Sequence, residues 1–253
     1  MRSLPERVQA VADQLERSAG SYLQSIVRDH HATCKVCCTP VTDGFRMCRP
    51  CSTHARSRFA LADRVGSLVY AIKPDSQTYL LVYNYKTPAA GPSHRREMKA
   101  LLALGLRGHA RCAAKLANAK TTAWCIVPST KQRSTLHELV SELATRRSRE
   151  IPVSYSGSGV RQNRELRPEL WSVELKDTPP EHVLVIDDSW VTGSHAQGVA
   201  SALKAAGISQ VSVFTVANVL DPDWEPNEPF IKQRLAEPAF DKTRCPWTGN
   251  DCP

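Results

Sequence analysis

The chain has 253 residues, enough for one sizeable core with small attachments, and 42% of them are apolar, enough to fill it. No run approaches the ~18 apolar residues of a membrane span. The start, Met1-Arg-Ser-Leu-Pro-Glu6, leads into an amphipathic pattern instead of a signal-peptide block, so a cytoplasmic protein with no membrane partner is expected.

The net charge of +8 is unevenly divided. Residues 94–170 carry fifteen Lys or Arg against six Asp or Glu, and residues 171–253 carry six against twelve. That asymmetry suits either a solvated basic face or a polyanionic ligand, a phosphorylated small molecule or a nucleic acid.

In chain order, Ser3-Leu-Pro-Glu6 reads as a capping box. Leu4, Val8, Val11, Leu15, Tyr22 and Ile26 then predict a helix to about residue 28. A Cys-rich module occupies His30 to about His54, and Phe59, Leu61, Val65, Leu68 and Val69 predict a further helix. Thr78–Tyr83 reads as a strand, and 94–119 mainly as helix interrupted near Gly105 and Gly108. Ala123–Val127 is a short buried strand ended by Pro128. Thr135-Leu-His-Glu138 is a second capping box ahead of Leu136, Leu139, Val140 and Leu143. Ile151–Tyr155 reads as a strand and 156–172 as a loop rich in Gly, Ser and Arg. Val183–Ile186 is a buried strand, His195–Ala206 a helix closed by Gly207, and Val211–Val216 a strand. Apolar strands separated by helices predict an α/β fold with a parallel sheet. The expected units are a helix and ribbon over 1–56, the α/β domain over 57–220 and a Pro-rich acidic tail over 221–253.

Nine cysteines, five of them between Cys34 and Cys51, point to metal more than to disulfides. Cys34-Lys-Val-Cys37 and Cys48-Arg-Pro-Cys51 form two paired knuckles, the pattern of a structural Zn²⁺ ribbon, with a redox pair as the minor alternative. Cys38 is a spare thiol, and His30, His31 and His54 are possible substitute ligands. Cys112 and Cys125 fall in apolar patterns and read as core. Cys245 and Cys252 are spaced poorly for a knuckle; an unpaired surface pair is expected, with a small loop closure or a site shared with other ligands as alternatives.

Val183-Leu-Val-Ile-Asp187-Asp188 is an apolar strand ending in two carboxylates, followed by Ser189-Trp-Val-Thr192-Gly193-Ser194 and a helix. Ligands of open α/β sheets lie at such strand ends. A helix N-terminus offers unpaired amides to phosphate. Gly193 permits close approach, Thr192 and Ser194 add hydroxyls, and the carboxylates suit the cis-diol of a ribose. An ordinary strand–turn–helix is the alternative.

This order of residues resembles the signature of type I phosphoribosyltransferases. The resemblance implies that Asp187 and Asp188 hold the ribose hydroxyls of phosphoribosyl pyrophosphate, with Mg²⁺. It implies that the turn Ser189, Val191, Thr192, Gly193, Ser194 and His195 binds the 5-phosphate. The family usually has Thr at the places of Val191 and His195. It further implies pyrophosphate contacts from Ser129, Thr130 and Lys131, where an ordinary polar turn is an equal alternative. Arg161, Arg164 and Arg167 resemble the family's mobile covering loop, which implies that Arg161 and Arg164 also contact the pyrophosphate, or they belong to a merely disordered basic segment. A Cys₄ ribbon ahead of such a domain is similar to the ComF-like (competence protein F-like) family over about Cys34 to Val219. The family's Arg-Gly-Phe-Asn segment is replaced after Pro128 by Arg133-Ser-Thr-Leu-His-Glu. Two functions follow as expectations. One is phosphoribosyl transfer to a nitrogenous acceptor. The other is a nucleic-acid-associated accessory role, with single-stranded DNA or DNA-processing proteins as partners and the phosphate site vestigial or sensing. Hydrolysis, with water as acceptor, is a weaker third.

Overall fold

The computed structural model describes residues 5–87, 90–120, 122–145, 148–157 and 165–253. In chain order its strands are Gln24–Ser25 (β1), Arg64–Ile72 (β2), Thr122–Ile126 (β3), Val153–Tyr155 (β4), Trp171–Val173 (β5), His182–Trp190 (β6) and Gln210–Leu220 (β7). Its α-helices are Glu6–Ala19 (α1), Arg49–Ala55 (α2), Gln77–Asn84 (α3), Pro92–Ala103 (α4), Ala110–Leu116 (α5), Thr135–Leu143 (α6), Ser194–Ala205 (α7) and Asn227–Arg234 (α8). The central sheet runs β1-β2-β7-β6-β3, parallel except for β1, while β4 and β5 pair antiparallel apart from it. This is the mixed α/β fold, mostly parallel, that the alternation of apolar runs predicts. No helix among the described residues is long and apolar enough to cross a membrane.

The middle strands β6 and β7 are buried along nearly their whole length because helices cover both of their faces. Their few buried polar groups are paired: Ser67 and Thr215 hydroxyls lie 2.6 Å apart across β2 and β7, and His182 Nε2 lies 2.9 Å from Ser212 Oγ.

Two predicted elements exchange type. Phe59–Val69 is not a helix: β2 starts at Arg64, and its continuous burial makes Val65, Leu68 and Val69 imitate a helical repeat. Thr78–Tyr83 is not a strand but part of α3. Ser76 caps it by accepting from Tyr79 N at 3.2 Å, and Thr78, Leu81 and Val82 face the core at helical spacing. Tertiary burial here overrides the β-propensity of Tyr and Val. The first helix ends at Ala19, earlier than its periodicity suggests, because residues 24–25 join the sheet edge. It starts at Glu6, and Ser3 lies outside the described residues. The interruption near Gly105 and Gly108 is a π-helical turn, Leu104–Gly108, between α4 and α5. Gly105 has no room for a side chain, since a Cβ there would sit 2.0 Å from the Phe214 ring.

The tail is ordered against the sheet edge. Gln24 Nε2 donates to the carbonyls of Leu235 and Glu237, Ser25 N donates to Ala239 O, and Lys242 pairs with Asp13 and Glu16. Cys245 is fully buried, so it and Cys252 are not the exposed surface pair that their spacing suggests.

Candidate active site

Strand β6 carries its apolar residues into the core and delivers Asp187 and Asp188 at its C-terminal end, next to the end of β3. Val127 N donates to Ile186 O at 3.0 Å and keeps the two strand ends in register. The turn after β3 therefore lies beside the acidic pair. Ser129 Oγ accepts from Lys131 N at 3.3 Å, and Gln132 closes the turn with φ of 53°.

Between these ends lies an open cleft of about 1020 Å³. It is lined by Asp187, Asp188, Ser189, Val191, Thr192, Gly193, Ser194 and His195, and by Ser129, Thr130 and Lys131. Of the residues named from the sequence for ribose, 5-phosphate and pyrophosphate, those among the described residues thus share one cavity. Arg161 and Arg164 lie outside the described residues. Arg167 is directed away: it is exposed, pairs with Glu169 at 3.1 Å and does not line the cleft.

The two carboxylates differ in surroundings. Asp188 is buried, and its Oδ2 accepts from Tyr85 OH at 2.8 Å and from Lys86 Nζ at 2.6 Å, while its Oδ1 accepts from Ser189 Oγ at 2.7 Å. Asp187 is half-buried, and its Oδ1 accepts the Asp188 amide at 2.8 Å. Burial, and then the adjacent Asp188 charge, push the Asp187 carboxyl well above the usual carboxylate range. Burial and the Asp188 charge likewise push the Tyr85 hydroxyl up, so it stays a donor. Asp188 is anchored, and Asp187 meets the cleft at an electrostatic cost that a ligand can relieve.

Tyr85 and Lys86 were not among the candidate residues, although both line the cleft at the end of α3. Their signal in the sequence is the Tyr-Lys pair that follows the apolar run Thr78–Tyr83, itself a mark of the family resemblance. Arg133, which stands in the segment that departs from the ComF-like pattern, also lines the cavity and lies close enough to Tyr85 to favour its ionised form. Lys86, Lys131 and Arg133 bring cationic groups to a cleft whose floor is acidic.

The turn into α7 is built around Trp190. Gly193 adopts a left-handed φ of 77°, and a Cβ there would come within 2.1 Å of the buried Trp190 ring. The turn thereby aims the first amides of α7 at the cleft. Thr192 Oγ1 lies 2.9 Å from Ser194 Oγ, which in turn lies 3.4 Å from His54 Nε2. Val191 packs partly into the core, and the His195 ring meets the Trp171 ring edge-on at 5.5 Å.

His54 belongs to α2, which starts within the second knuckle and carries Cys51, so the cysteine module abuts the turn. Burial pushes the His54 imidazole below its usual range. Cys34, Cys37, Cys48 and Cys51 are all buried, with their sulfurs within 4.8 Å of one another. The Cys37 sulfur is 3.7 Å from that of Cys48 and 3.5 Å from that of Cys51. Tetrahedral zinc with bonds of ~2.3 Å separates its sulfurs by roughly 3.8 Å, so the set fits a metal such as zinc. Cys38 is turned away into a separate apolar cluster with Tyr70 and Leu220, and neither it nor His30, His31 or His54 joins the four. Asn218 Nδ2 donates to Cys37 O at 2.6 Å and Tyr70 OH to Cys38 O at 2.7 Å, docking the module on the sheet.

No family model and no curated protein matches the chain. Among solved structures, a hypoxanthine phosphoribosyltransferase from Staphylococcus aureus is similar at 14% identity with a TM-score of 0.30, over 49% of this chain and 64% of that one. The hypoxanthine-guanine phosphoribosyl transferase of L. donovani is similar at 18% identity with a TM-score of 0.29, over 53% of this chain and 74% of that one. This chain therefore spans less than two thirds of the length of the first.

Proposed function

We propose that the chain binds phosphoribosyl pyrophosphate in this cleft and transfers the phosphoribosyl group to a nitrogenous acceptor, as a phosphoribosyltransferase-like protein of the ComF-like kind. The observation that carries the reading is the placement of the Asp187–Asp188 pair between a helix N-terminal anion cup and a second polar turn in one cavity. The 5-phosphate sits at the α7 N-terminus, against the amides after Gly193 and the hydroxyls of Thr192 and Ser194. The ribose hydroxyls donate to Asp187, whose raised proton affinity makes it a strong acceptor, and to the outer face of Asp188. Pyrophosphate lies toward Ser129, Thr130, Lys131, Lys86 and Arg133. Mg²⁺ bound with the substrate supplies charge neutralisation of the pyrophosphate.

In the reaction, the bond from the anomeric carbon to pyrophosphate oxygen breaks with its electron pair leaving on pyrophosphate. A bond to the acceptor nitrogen forms, and the acceptor proton passes to solvent. Positive charge developing on the sugar lies beside the Asp187 carboxylate, while the cations of the cleft stabilise the leaving group. Zinc in the Cys34–Cys51 set has a structural part: it fixes α2, and through His54 it fixes the Ser194 end of the cup.

The accessory reading keeps the same pocket as a sensor and is favoured by Val191 and His195, where the family's hydroxyls are missing. The basic stretch supports it less than its charge count suggests. Arg95 pairs with Glu138 and Lys99 with Glu142, so α6 neutralises part of the α4 face that DNA would need. The test is pyrophosphate release from phosphoribosyl pyrophosphate and Mg²⁺ with a panel of nucleobases and amines. Acceptor-dependent release supports transfer, release without acceptor indicates hydrolysis, and tight binding without release indicates a sensor.

A further inference from the structure

Residues far apart in the chain bring three thiols and an imidazole together, apart from the Cys34–Cys51 set. His109 and Cys112 stand at the start of α5, three residues apart and hence on one face. Cys245 and Cys252 come from the tail. The four ligand atoms lie within 4.8 Å of one another, and three of the four residues are buried. Cys252 Sγ is 3.3 Å from His109 Nδ1, close to the edge of a tetrahedron with Zn–S of ~2.3 Å and Zn–N of ~2.0 Å.

From this arrangement we infer that His109, Cys112, Cys245 and Cys252 form a second structural zinc site, which fastens the C-terminal tail to the core.

Three further observations support it. The His109 ring is fully buried and its Nδ1 faces the Cys252 sulfur at 3.3 Å, the setting in which a neutral imidazole binds a metal beside thiolates. The tail is bent to bring its two cysteines together: Cys245 N donates to Asn250 O at 2.9 Å and Gly249 N to Cys245 O at 2.8 Å, with Gly249 at φ of 80°. The bend is also docked. Trp247 Nε1 donates to His109 O at 3.1 Å, its ring packs on Phe214, and Gly66 leaves room for it, since a Cβ there would lie 2.9 Å from the ring. Soft thiolates with one neutral imidazole select zinc among abundant divalent ions. Binding displaces the thiol protons to solvent, and the three thiolates and the 2+ ion leave the site with one net negative charge. The site lies on different residues from the candidate active site and does not depend on its function.

Zinc content of the full chain, purified without chelator, tests this. Native protein should hold two zinc ions per chain, and the Cys245→Ser, Cys252→Ser protein one fewer, while Cys48→Ser should still contain the ion of the tail site. Zinc X-ray absorption on the native protein, which needs no variant to fold, should show sulfur with a minority of nitrogen, because one of the eight ligands of the two sets is imidazole. Zinc content unchanged by the two tail substitutions, a purely sulfur shell, or seven titratable thiols in the denatured chain instead of the nine in the sequence would each overturn the site. The last result would mean a disulfide.

Discussion

Lys86 Nζ lies 2.6 Å from Asp188 Oδ2, and with Tyr85 it converts one of two adjacent carboxylates into a fixed part of the scaffold. Both partners of this ion pair are mostly buried, with side-chain exposures of 24% and 11%. Lys86→Met should therefore cost about 1.5–3 kcal/mol in chemical denaturation, the range for hydrogen bonds to charged groups. It should also weaken phosphoribosyl pyrophosphate binding, since the same ammonium faces the cleft. Wild-type stability and affinity in Lys86→Met would separate the pair from the site.

Gly193 is under two constraints. An alanine there would carry a left-handed backbone, at about 1–2 kcal/mol, and would overlap Trp190, at about 1–3 kcal/mol more. Gly193→Ala should lower stability by the sum and abolish phosphate binding, because relief of the clash moves the first amides of α7. Equilibrium denaturation and titration with inorganic phosphate check the two effects.

The raised proton affinity of Asp187 makes stability depend on pH. Because the folded-state pKa lies above the unfolded one, the folded chain binds more protons between the two, and the associated stability is present at acid pH and lost as pH rises. Asp187→Asn removes that loss. The variant should melt higher than wild type at pH 7–8, and the gap should narrow toward pH 4. A pH-independent difference in Tm would mean that Asp187 carries no strained charge.

The cysteine module should be coupled to the phosphate turn. Cys48→Ser should lose the zinc of that set and destabilise the module by several kcal/mol, given the ~10–16 kcal/mol apparent affinity of structural zinc for small modules. Through His54 and Ser194 it should also weaken phosphate binding. His54→Ala should keep the zinc and show the weaker phosphate binding alone. Unaltered phosphate affinity in both variants would uncouple the module from the turn.

That these candidate residues lie together was largely legible because they are local in sequence: Asp187 through His195 is one strand end and one turn, and the two Cys-x-x-Cys knuckles form one compact set. Ser129 to Lys131 could be placed beside them because the strand ahead of that turn is a short buried run. What stayed hidden depends on tertiary burial. β2 is covered on both faces and loses the alternation that marks a strand, and α3 is rich in Tyr and Val yet folds as a helix over the core. Tyr85 and Lys86 reach Asp188 across about a hundred residues, a pairing that no local pattern encodes. Cys112, placed in the core, and Cys245 and Cys252, placed on the surface, gave no hint that they meet His109, because that meeting needs the tail to return across the sheet.

On the proposed function, Asp187 is held at a cost to the folded chain in order to receive a ribose. The most direct measurement is calorimetric titration of phosphoribosyl pyrophosphate with Mg²⁺ into the wild-type and Asp187→Asn proteins, beside single-stranded DNA as a competing ligand. Wild type should bind saturably and Asp187→Asn should lose about 1.5–3 kcal/mol, some ten- to hundredfold in Kd, although that variant is the more stable of the two at neutral pH. Equal affinity of the two proteins for phosphoribosyl pyrophosphate, or binding of DNA alone, would contradict the proposed function.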